Sequence, residues 1–444
     1  MLNPEAGDAV SPQDLYDAVL ASSRPRHWDE EFDLERVRRL MAVLGDPHRG
    51  LPVVHVGGTA GKGSTARMIA EMLQAGGYRV GLSTKPHLRS LTERFLVDGR
   101  AIGAGELMDR ARALGRLVDG IGPTWFESVS ALALRYFADA EVDVAVVEVG
   151  MGGTTDATNV VEPLVSVVTN VGDDHVDMLG GSLLTVAGHK AGIIKPGAVA
   201  VSGVTRPELA EVIRARAAET GSPLLELGRD FTAEIESVDT EGTGWRLSGA
   251  GGDRSGLRLR ARGRHQVSNA ALAVTAVEAL GSRGLPVAEA HWRKALAEVT
   301  VPGRLETVRR APEVVLDGAH CPPKLEALAQ ALGEVYAGRR RIGVLALAPG
   351  RDGERSLGLV ADTFDVVVAT GYQAHTEFGA ISGRSTGEIA EILGRLRPDL
   401  PVHQAAEPWD AYRLALSLAG EHDLICVTGS FNLVGAVRNR LLAD

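Results

Sequence analysis

Apolar, β-branched runs alternate with segments whose apolar residues recur at helical spacing along almost the whole chain. Val53–Val56, Val80–Ser83, Val142–Val149 and Leu164–Thr169 have the continuous apolar character of strands buried on both faces. Asp33–Leu44, Thr65–Ala75 and Ser128–Ala138 carry apolar residues at helical spacing and predict helices between them. Strand, helix and strand in that order predict crossover units, and therefore a doubly wound parallel sheet. Polar, glycine-rich alternation over Gly242–Arg262 predicts a small antiparallel excursion, closed by a helix over Asn269–Leu280. Val301-Pro302-Gly303-Arg304 reads as a hinge. Beyond it Val314–Asp317, Ile342–Leu347, Asp365–Thr370 and Leu424–Thr428 predict a second α/β series, with Pro322 and Pro323 suited to a first helical turn. The expected organisation is a domain over 1–300 and a smaller one over 301–444.

Composition narrows the class without naming a chemistry. A chain of 444 residues, 45% hydrophobic and 23% charged, is an ordinary globular composition with room for two or three cores. Its net charge of -10 disfavours nucleic acid or an anionic membrane as the main partner. Cys321 and Cys426 are the only cysteines, which excludes a disulfide scaffold and fits a reducing cytoplasm. Met1–Gln13 is polar and acidic, unlike a signal peptide, and no run of about 18 apolar residues offers a membrane span.

Candidate chemistry gathers where strands end, which is where open parallel sheets bind ligands. The first strand runs into Gly57-Gly58-Thr59-Ala60-Gly61-Lys62-Gly63-Ser64. Glycines there let backbone N–H groups surround phosphate oxygens at a helix N-terminus, Lys62 reaches further phosphates, and Ser64 or Thr65 offers a hydroxyl to Mg²⁺. A glycine turn that merely packs is the competing reading. The spacing is also unusual, because Gly63 stands between lysine and hydroxyl. The second strand ends in Glu148, a candidate Mg²⁺ carboxylate followed by Gly150-Met151-Gly152-Gly153. The third leads to Asp173-Asp174-His175, an unusual neighbour for a hard cation. Lys190 alone says little, and Lys195 before Pro196 reads as an ordinary surface or helix-end lysine. The glycines after Glu148 lack the spacing of a dinucleotide fingerprint, and no His-x-x-x-His pair supports a metal hydrolase.

Taken with Pro86-His87-Leu88, Glu93-Arg94, Phe126-Glu127, Asp156-Ala157-Thr158-Asn159, Leu179-Gly180, His265-Gln266, Pro302-Gly303-Arg304, Asp317-Gly318-Ala319-His320 and Thr428-Gly429-Ser430, these motifs run in one order along nearly the whole chain. The ensemble resembles the folylpolyglutamate synthase and dihydrofolate synthase family, a branch of the Mur ligases, whose phosphate loop carries the extra glycine. The resemblance implies a P-loop doubly wound ATPase domain followed by a Rossmann-like α/β domain. It implies ATP-dependent amide formation through an acyl phosphate, with one or two Mg²⁺ ions, a pteroate or folate as acid and glutamate as amine. Carried over residue by residue, Gly58, Thr59, Gly61, Lys62, Gly63 and Ser64 meet the phosphates. Ser64, Glu148, His175 and a carbamylated Lys190 serve the metal. Gln266 and Asn269 meet adenine, while Arg304, Asp317 and His320 reach phosphate and ribose from the second domain, which closes about a hinge near Pro302. Lys85, His87, Thr154, Thr155, Asp156 and Ser430 fall at substrate positions. Members of the family are often monomers.

Five departures cluster near the substrates: Ala60 for asparagine, Lys85 for serine, Thr154-Thr155 for arginine and leucine, Cys321 for asparagine, and Gly350-Arg351-Asp352 for an Asp-Lys-Asp motif. An ammonium beside Mg²⁺ is electrostatically costly, so Lys85 turns outward, meets phosphate or an acidic substrate, or replaces a cation. These departures leave two alternatives beside folate ligation. One is a Mur-type ligase joining another acid and amine, and the other is an inactive nucleotide-binding regulatory homologue.

Overall fold

The computed structural model describes residues 10–24, 34–118, 120–173, 177–249, 251–350, 353–376 and 379–442. The chain divides into two compact units, Met1–Thr232 with Gly249–Gly251 and Ala271–Ala295, and Ala233–Ser248 with Gly252–Ala270 and Leu296–Asp444. The helix Arg264–Gly281 is divided between them.

The first unit is built on a sheet of β1 (Val53–Gly57), β2 (Val80–Ser83), β3 (Leu96–Val97), β4 (Arg100–Ala101), β5 (Val144–Glu148), β6 (Val165–Val168), β7 (Val199–Ser202) and β8 (Leu224–Glu226). Their order is β4-β3-β2-β5-β1-β6-β7-β8. From β2 to β8 every pairing is parallel, and only the β3–β4 hairpin adds antiparallel strands at one edge. Every residue of β1, β5 and β6 is buried, which is why these strands read as unbroken apolar runs rather than alternating ones. One core cluster joins Ala145 and Val147 to Leu134 and Phe137 of the helix Trp125–Asp139. A second joins Val168 and Ala200 to Ala187, Ile193, Ile194 and Ile213. The helix Lys62–Ala75 begins three residues earlier than its apolar pattern predicted, because Lys62, Gly63 and Ser64 form its first turn without adding to that pattern.

The second unit carries a three-stranded sheet of β9 (Phe231–Asp239), β10 (Gly242–Gly249) and β11 (Gly252–Leu259), in the order β11-β10-β9. Its larger sheet joins β12 (Glu306–Arg310), β13 (Glu313–Leu316), β14 (Arg341–Leu345), β15 (Val366–Ala369), β18 (Val402–Gln404) and β19 (Leu424–Thr428), in the order β12-β13-β19-β14-β15-β18. Between β15 and β18 in sequence lies the antiparallel pair β16 (Gln373–Thr376) and β17 (Gly379–Ser382). All pairings of the larger sheet are parallel except β12 on β13. A buried polar knot holds the approach to the helix Arg264–Gly281. Arg262 donates to Thr307 Oγ1 at 2.6 Å and to Tyr336 Oη at 2.7 Å, and Tyr336 donates to Glu313 at 3.0 Å. No helix among the described residues is long and apolar enough to cross a membrane.

The motif residue Glu127 explains itself at this level. Thr124 and Glu127 form a capping box at the start of Trp125–Asp139, with Thr124 N–H donating to Glu127 Oε2 at 2.6 Å. Arg36, on the helix Glu35–Val43, donates to the same oxygen at 2.7 Å. Replacing Glu127 by alanine strands both donors in a buried setting and is expected to cost about 1–3 kcal/mol of stability. Chemical denaturation checks this, and an unchanged unfolding midpoint contradicts it.

Candidate active site

The register of β1 against β5 pairs Val56 with Glu148, so the phosphate loop and this carboxylate leave the sheet at the same level. Glu148 is 7% exposed, and its Oε2 accepts the Lys85 N–H at 2.8 Å. A Cβ placed on Gly63 would lie 3.1 Å from the same oxygen. The glycine between lysine and serine is therefore what lets the carboxylate approach the loop. Ser64 is buried behind it, and the buried Thr65 hydroxyl has no hydrogen-bond partner among the described residues. Hydroxyl and carboxylate oxygens are the donor type that Mg²⁺ takes alongside phosphate and water, so these residues fit such an ion in kind. Among the described residues no group of three or more His, Cys, Asp and Glu gathers to hold a metal by itself.

Gly61, at φ +81°, precedes the first turn of the helix Lys62–Ala75, whose leading N–H groups lack intrahelical acceptors. Lys62 folds back, with Nζ donating to the carbonyls of Gly58 at 2.9 Å and Thr59 at 3.2 Å. The rest of the loop is pinned from β6. Asn170 Oδ1 accepts from Ala60 N–H at 2.9 Å and Thr59 N–H at 3.2 Å, and Thr169 Oγ1 donates to Ala60 O at 2.6 Å. Sequence reasoning passed over Thr169 and Asn170. Their signal was a polar pair at the end of a buried strand, where such residues face the ligand end of the sheet.

Lys85 enters through its main chain, and its peptide bond to Pro86 is cis. In the turn that follows, Glu93 accepts from Leu88 N–H at 2.8 Å and Arg89 N–H at 3.1 Å. Arg94 Nε donates to His87 Nδ1 at 3.0 Å, which leaves the ring proton on Nε2. Burial, then the charge of Arg94, lowers the His87 pKa to about 3, so His87 is a neutral imidazole at any working pH.

The segment after Glu148 departs from what its motif implied. Asp156 is buried, and its Oδ2 accepts Met151 N–H at 2.8 Å. Its Oδ1 takes Thr158 N–H at 3.1 Å and Thr158 Oγ1 at 2.5 Å, capping the short turn Ala157–Val160. Both of its oxygens are thus engaged within its own segment. Thr158 in turn accepts from His55 Nε2 at 2.9 Å, and burial followed by the charge of Lys195 lowers the His55 pKa to about 3. Thr154 is likewise engaged, with its N–H and hydroxyl at 2.8 and 3.2 Å from His189 O. Thr155 is half-buried beside it. Lys190 lies on the helix Leu183–Ala191, 3% exposed. Asp174 and His175 lie outside the described residues, as do Arg351 and Asp352.

Lys195 corrects its reading as an ordinary surface or helix-end lysine. Its Nζ donates to Asn159 O and, at 2.7 Å, to Val161 O. Burial lowers its pKa from 10.5 to about 8, opposed by the charge of Glu162 and assisted by Arg38 and Arg216.

In the second unit, Gln266 and Asn269 are buried one helical turn apart, with Asn269 Nδ2 donating to Gln266 Oε1 at 3.0 Å. The Arg304 guanidinium lies 4.5 Å from the centre of the Phe431 ring. Asp317 accepts Leu305 N–H at 2.9 Å and Ala319 N–H at 2.8 Å, and burial raises its pKa against the pull of Arg304 and these bonds. His320 donates Nδ1–H to Gly318 O at 2.7 Å, and its Nε2 accepts from Lys324 Nζ at 3.2 Å. Ser430 caps the helix Phe431–Leu441 by accepting Asn432 N–H at 3.1 Å. Cys321 occupies the N-cap of the helix Pro322–Val335 and makes no side-chain cap bond.

Comparison with known proteins converges on one group. Residues 105–277 match the Mur ligase middle domain, and residues 303–431 match the Mur ligase glutamate ligase domain. A dihydrofolate synthase/folylpolyglutamate synthase of Mycobacterium tuberculosis is 35% identical over 98% of this chain and 97% of its own length. A folylpolyglutamate synthase of Lacticaseibacillus casei is 35% identical over 92% of this chain and 94% of its own. Among solved structures, the M. tuberculosis folylpolyglutamate synthase complexed with ADP superposes with a TM-score of 0.85 at 34% identity, covering 98% of each chain. E. coli FolC in complex with DHPP and ADP gives a TM-score of 0.84 at 29% identity, covering 99% of each.

The Gly63 geometry yields a direct check. Gly63→Ala sets a methyl against the Glu148 carboxylate and is expected to weaken ATP binding in the presence of Mg²⁺ by about tenfold or more, with little change in thermal stability. Calorimetric titration reads this out, and unchanged affinity contradicts the role given to that approach.

Proposed function

We propose that this chain, which belongs to the folylpolyglutamate synthase and dihydrofolate synthase family of Mur ligases, joins glutamate to a pteroate or folate at the expense of ATP. It is an ATP-dependent ligase. The single observation that carries the residue assignments is the approach of the Glu148 carboxylate to Gly63 in the phosphate loop.

A carboxylate oxygen of the acid attacks the γ-phosphorus, and the bond from that phosphorus to the β-bridging oxygen breaks to give an acyl phosphate and ADP. The glutamate amine then attacks the acyl carbon. A C–N bond forms, the C–O bond to phosphate breaks, and a proton leaves the nitrogen. Lys62 swings from the carbonyls of Gly58 and Thr59 to neutralise the transferring phosphoryl group, and the first-turn N–H groups hold its oxygens. Ser64 and Glu148 would hold Mg²⁺, which would supply charge neutralisation to the phosphates. His175 and Lys190 complete our assignment of the metal-facing groups, with the Lys190 amine taking up CO₂ and releasing a proton to become a carbamate. His87, neutral and with its ring proton on Nε2, is assigned as a donor to the acid. Gln266 and Asn269 serve adenine, and Arg304, Asp317 and His320 serve phosphate and ribose. The enzyme is assigned to the cytoplasm, in keeping with its two free thiols, and acts as a monomer.

Two of the departures, Ala60 and Lys85, keep a main-chain bond that any residue but proline can make at the position. The described bonds at Lys85 and Ala60 run through main-chain N–H groups, at Thr154 largely so, and Cys321 makes no side-chain cap bond. A change of side chain at Lys85 or Ala60 leaves those main-chain bonds intact.

The test is ADP release from ATP and Mg²⁺ with dihydropteroate, tetrahydrofolate and unrelated carboxylates, each paired with glutamate or another amine. Glutamate-dependent turnover of a pteroate or folate is expected. Turnover only with another acid or amine overturns the substrate assignment, and ATP binding without turnover of any pair makes the protein a nucleotide-binding module. Lys62→Ala is expected to remove acyl-phosphate formation, trapped as hydroxamate, while the circular dichroism of the fold stays unchanged. Retained trapping in that variant contradicts the role of Lys62.

A further inference from the structure

The turn Ala157–Val160 is held at both ends by charged groups, the buried Asp156 and the half-buried Lys195. Asp156 caps its N–H end, as described, and Lys195 caps its carbonyl end through Asn159 O and Val161 O. The turn also touches two segments that the reaction depends on. His55, on the strand that enters the phosphate loop, bonds Thr158. Asn159 Nδ2 donates to Thr154 O at 2.8 Å and to Gly192 O at 3.3 Å, the latter two residues past Lys190. Lys195 is itself anchored, because Ser222 Oγ donates to its carbonyl at 3.1 Å and Arg216 Nε donates to Ile194 O at 3.2 Å.

We propose that Lys195 is a positioning residue for the ligase reaction: its ammonium clamps the carbonyl end of this turn and thereby sets the helix end that carries Lys190. The proposal rests on the assignment of Lys190 to the metal-facing groups. Lys195 touches no substrate and does not take part in bond making. Its role is to fix where a neighbouring element stands, as outer-shell groups around metal sites do.

The charge on Lys195 gives the clamp a signature. Glu162 favours the ammonium, while burial, Arg38 and Arg216 disfavour it; His55 and His48 also lie in its field. With a native pKa of about 8 against an ordinary 10.5, the folded chain releases this proton first. Between those values the unfolded chain holds more protons, so this group makes the chain more stable as pH rises. The clamp runs the other way, since the neutral amine loses the charge assistance of its two hydrogen bonds. Activity therefore falls across this range without a matching loss of stability from the same group.

The experiment compares the wild-type protein, Lys195→Met and Lys195→Arg from neutral to alkaline pH. It measures kcat and KM by ADP release, and hydrogen exchange over residues 154–162 corrected for the intrinsic rate. In the wild type, kcat is expected to decline with a midpoint at about 8, and exchange in that segment to rise over the same interval. Lys195→Met is expected to lower kcat about tenfold at every pH with a smaller effect on the KM for ATP, and to remove the decline. Lys195→Arg keeps its charge throughout, so it is expected to recover kcat and to lose the decline near 8. Full kcat and full exchange protection in Lys195→Met overturn the proposal, as does an unchanged alkaline decline in Lys195→Arg. If Lys195→Met does not fold, the wild-type profile and Lys195→Arg decide the matter alone. The exchange measurement needs no turnover, so an inactive wild type counts against the ligase assignment and leaves the clamp to be judged on protection.

Discussion

The register of two neighbouring parallel strands fixes most of what happens at the nucleotide end of the first sheet. Because β1 and β5 pair with Val56 opposite Glu148, a glycine-rich loop and a carboxylate emerge side by side. A shift by one residue would turn Glu148 to the other face of the sheet and replace it at the site with an apolar neighbour. From that register follows the demand on Gly63, since any side chain there meets the carboxylate. The burial of Ser64 and Thr65 against the same end of the sheet follows as well. β6 adds the third constraint, with Thr169 and Asn170 holding the outer arm of the loop so that its shape does not depend on a ligand.

Side chains and main chain divide the work in a way that accounts for the unusual residues of this sequence. Where a functional group must sit at one point, a side chain holds it: Glu127 receives Arg36 and a helix N–H, Asp156 receives three donors, and Arg94 fixes one tautomer of His87. Where the chain only has to pass at the right distance, a backbone amide makes the contact. Lys85 meets Glu148 in this second way. That backbone bond does not by itself oblige the ammonium to face a metal.

Much of the fold was legible because parallel strands buried on both faces leave continuous apolar runs. Val144–Glu148, Val165–Val168 and Leu424–Thr428 needed no alignment to find. Short edge elements carry little such signal: the two-residue strands Leu96–Val97 and Arg100–Ala101, half-buried Leu224–Glu226 and the mixed face of Glu306–Arg310 were missed. At the site, the glycine loop and the strand end singled out Lys62 and Glu148 as candidates because such features have local patterns, whereas Lys190 became a candidate only through the family resemblance. Motif spacing passed over Asn170 and misread Lys195, whose work depends on partners 110 and 36 residues away. The resemblance gave Asp156 and Ser430 to substrates, although both cap turns or helices within their own segment. Side-chain chemistry was readable there, and the direction in which each side chain points was not.

The account stands or falls on phosphoryl transfer to the acid before the amide forms. The measurement that reaches this step most directly labels the carboxylate of the accepted acid with ¹⁸O and follows the label by mass spectrometry through one turnover with ATP, Mg²⁺ and glutamate. Attack of that carboxylate on the γ-phosphorus, and later displacement by the amine, carries one labelled oxygen into the released phosphate. The account predicts labelled phosphate in step with amide product. Amide formed with unlabelled phosphate would contradict it, because the acid would then have been activated without ever bonding to phosphorus.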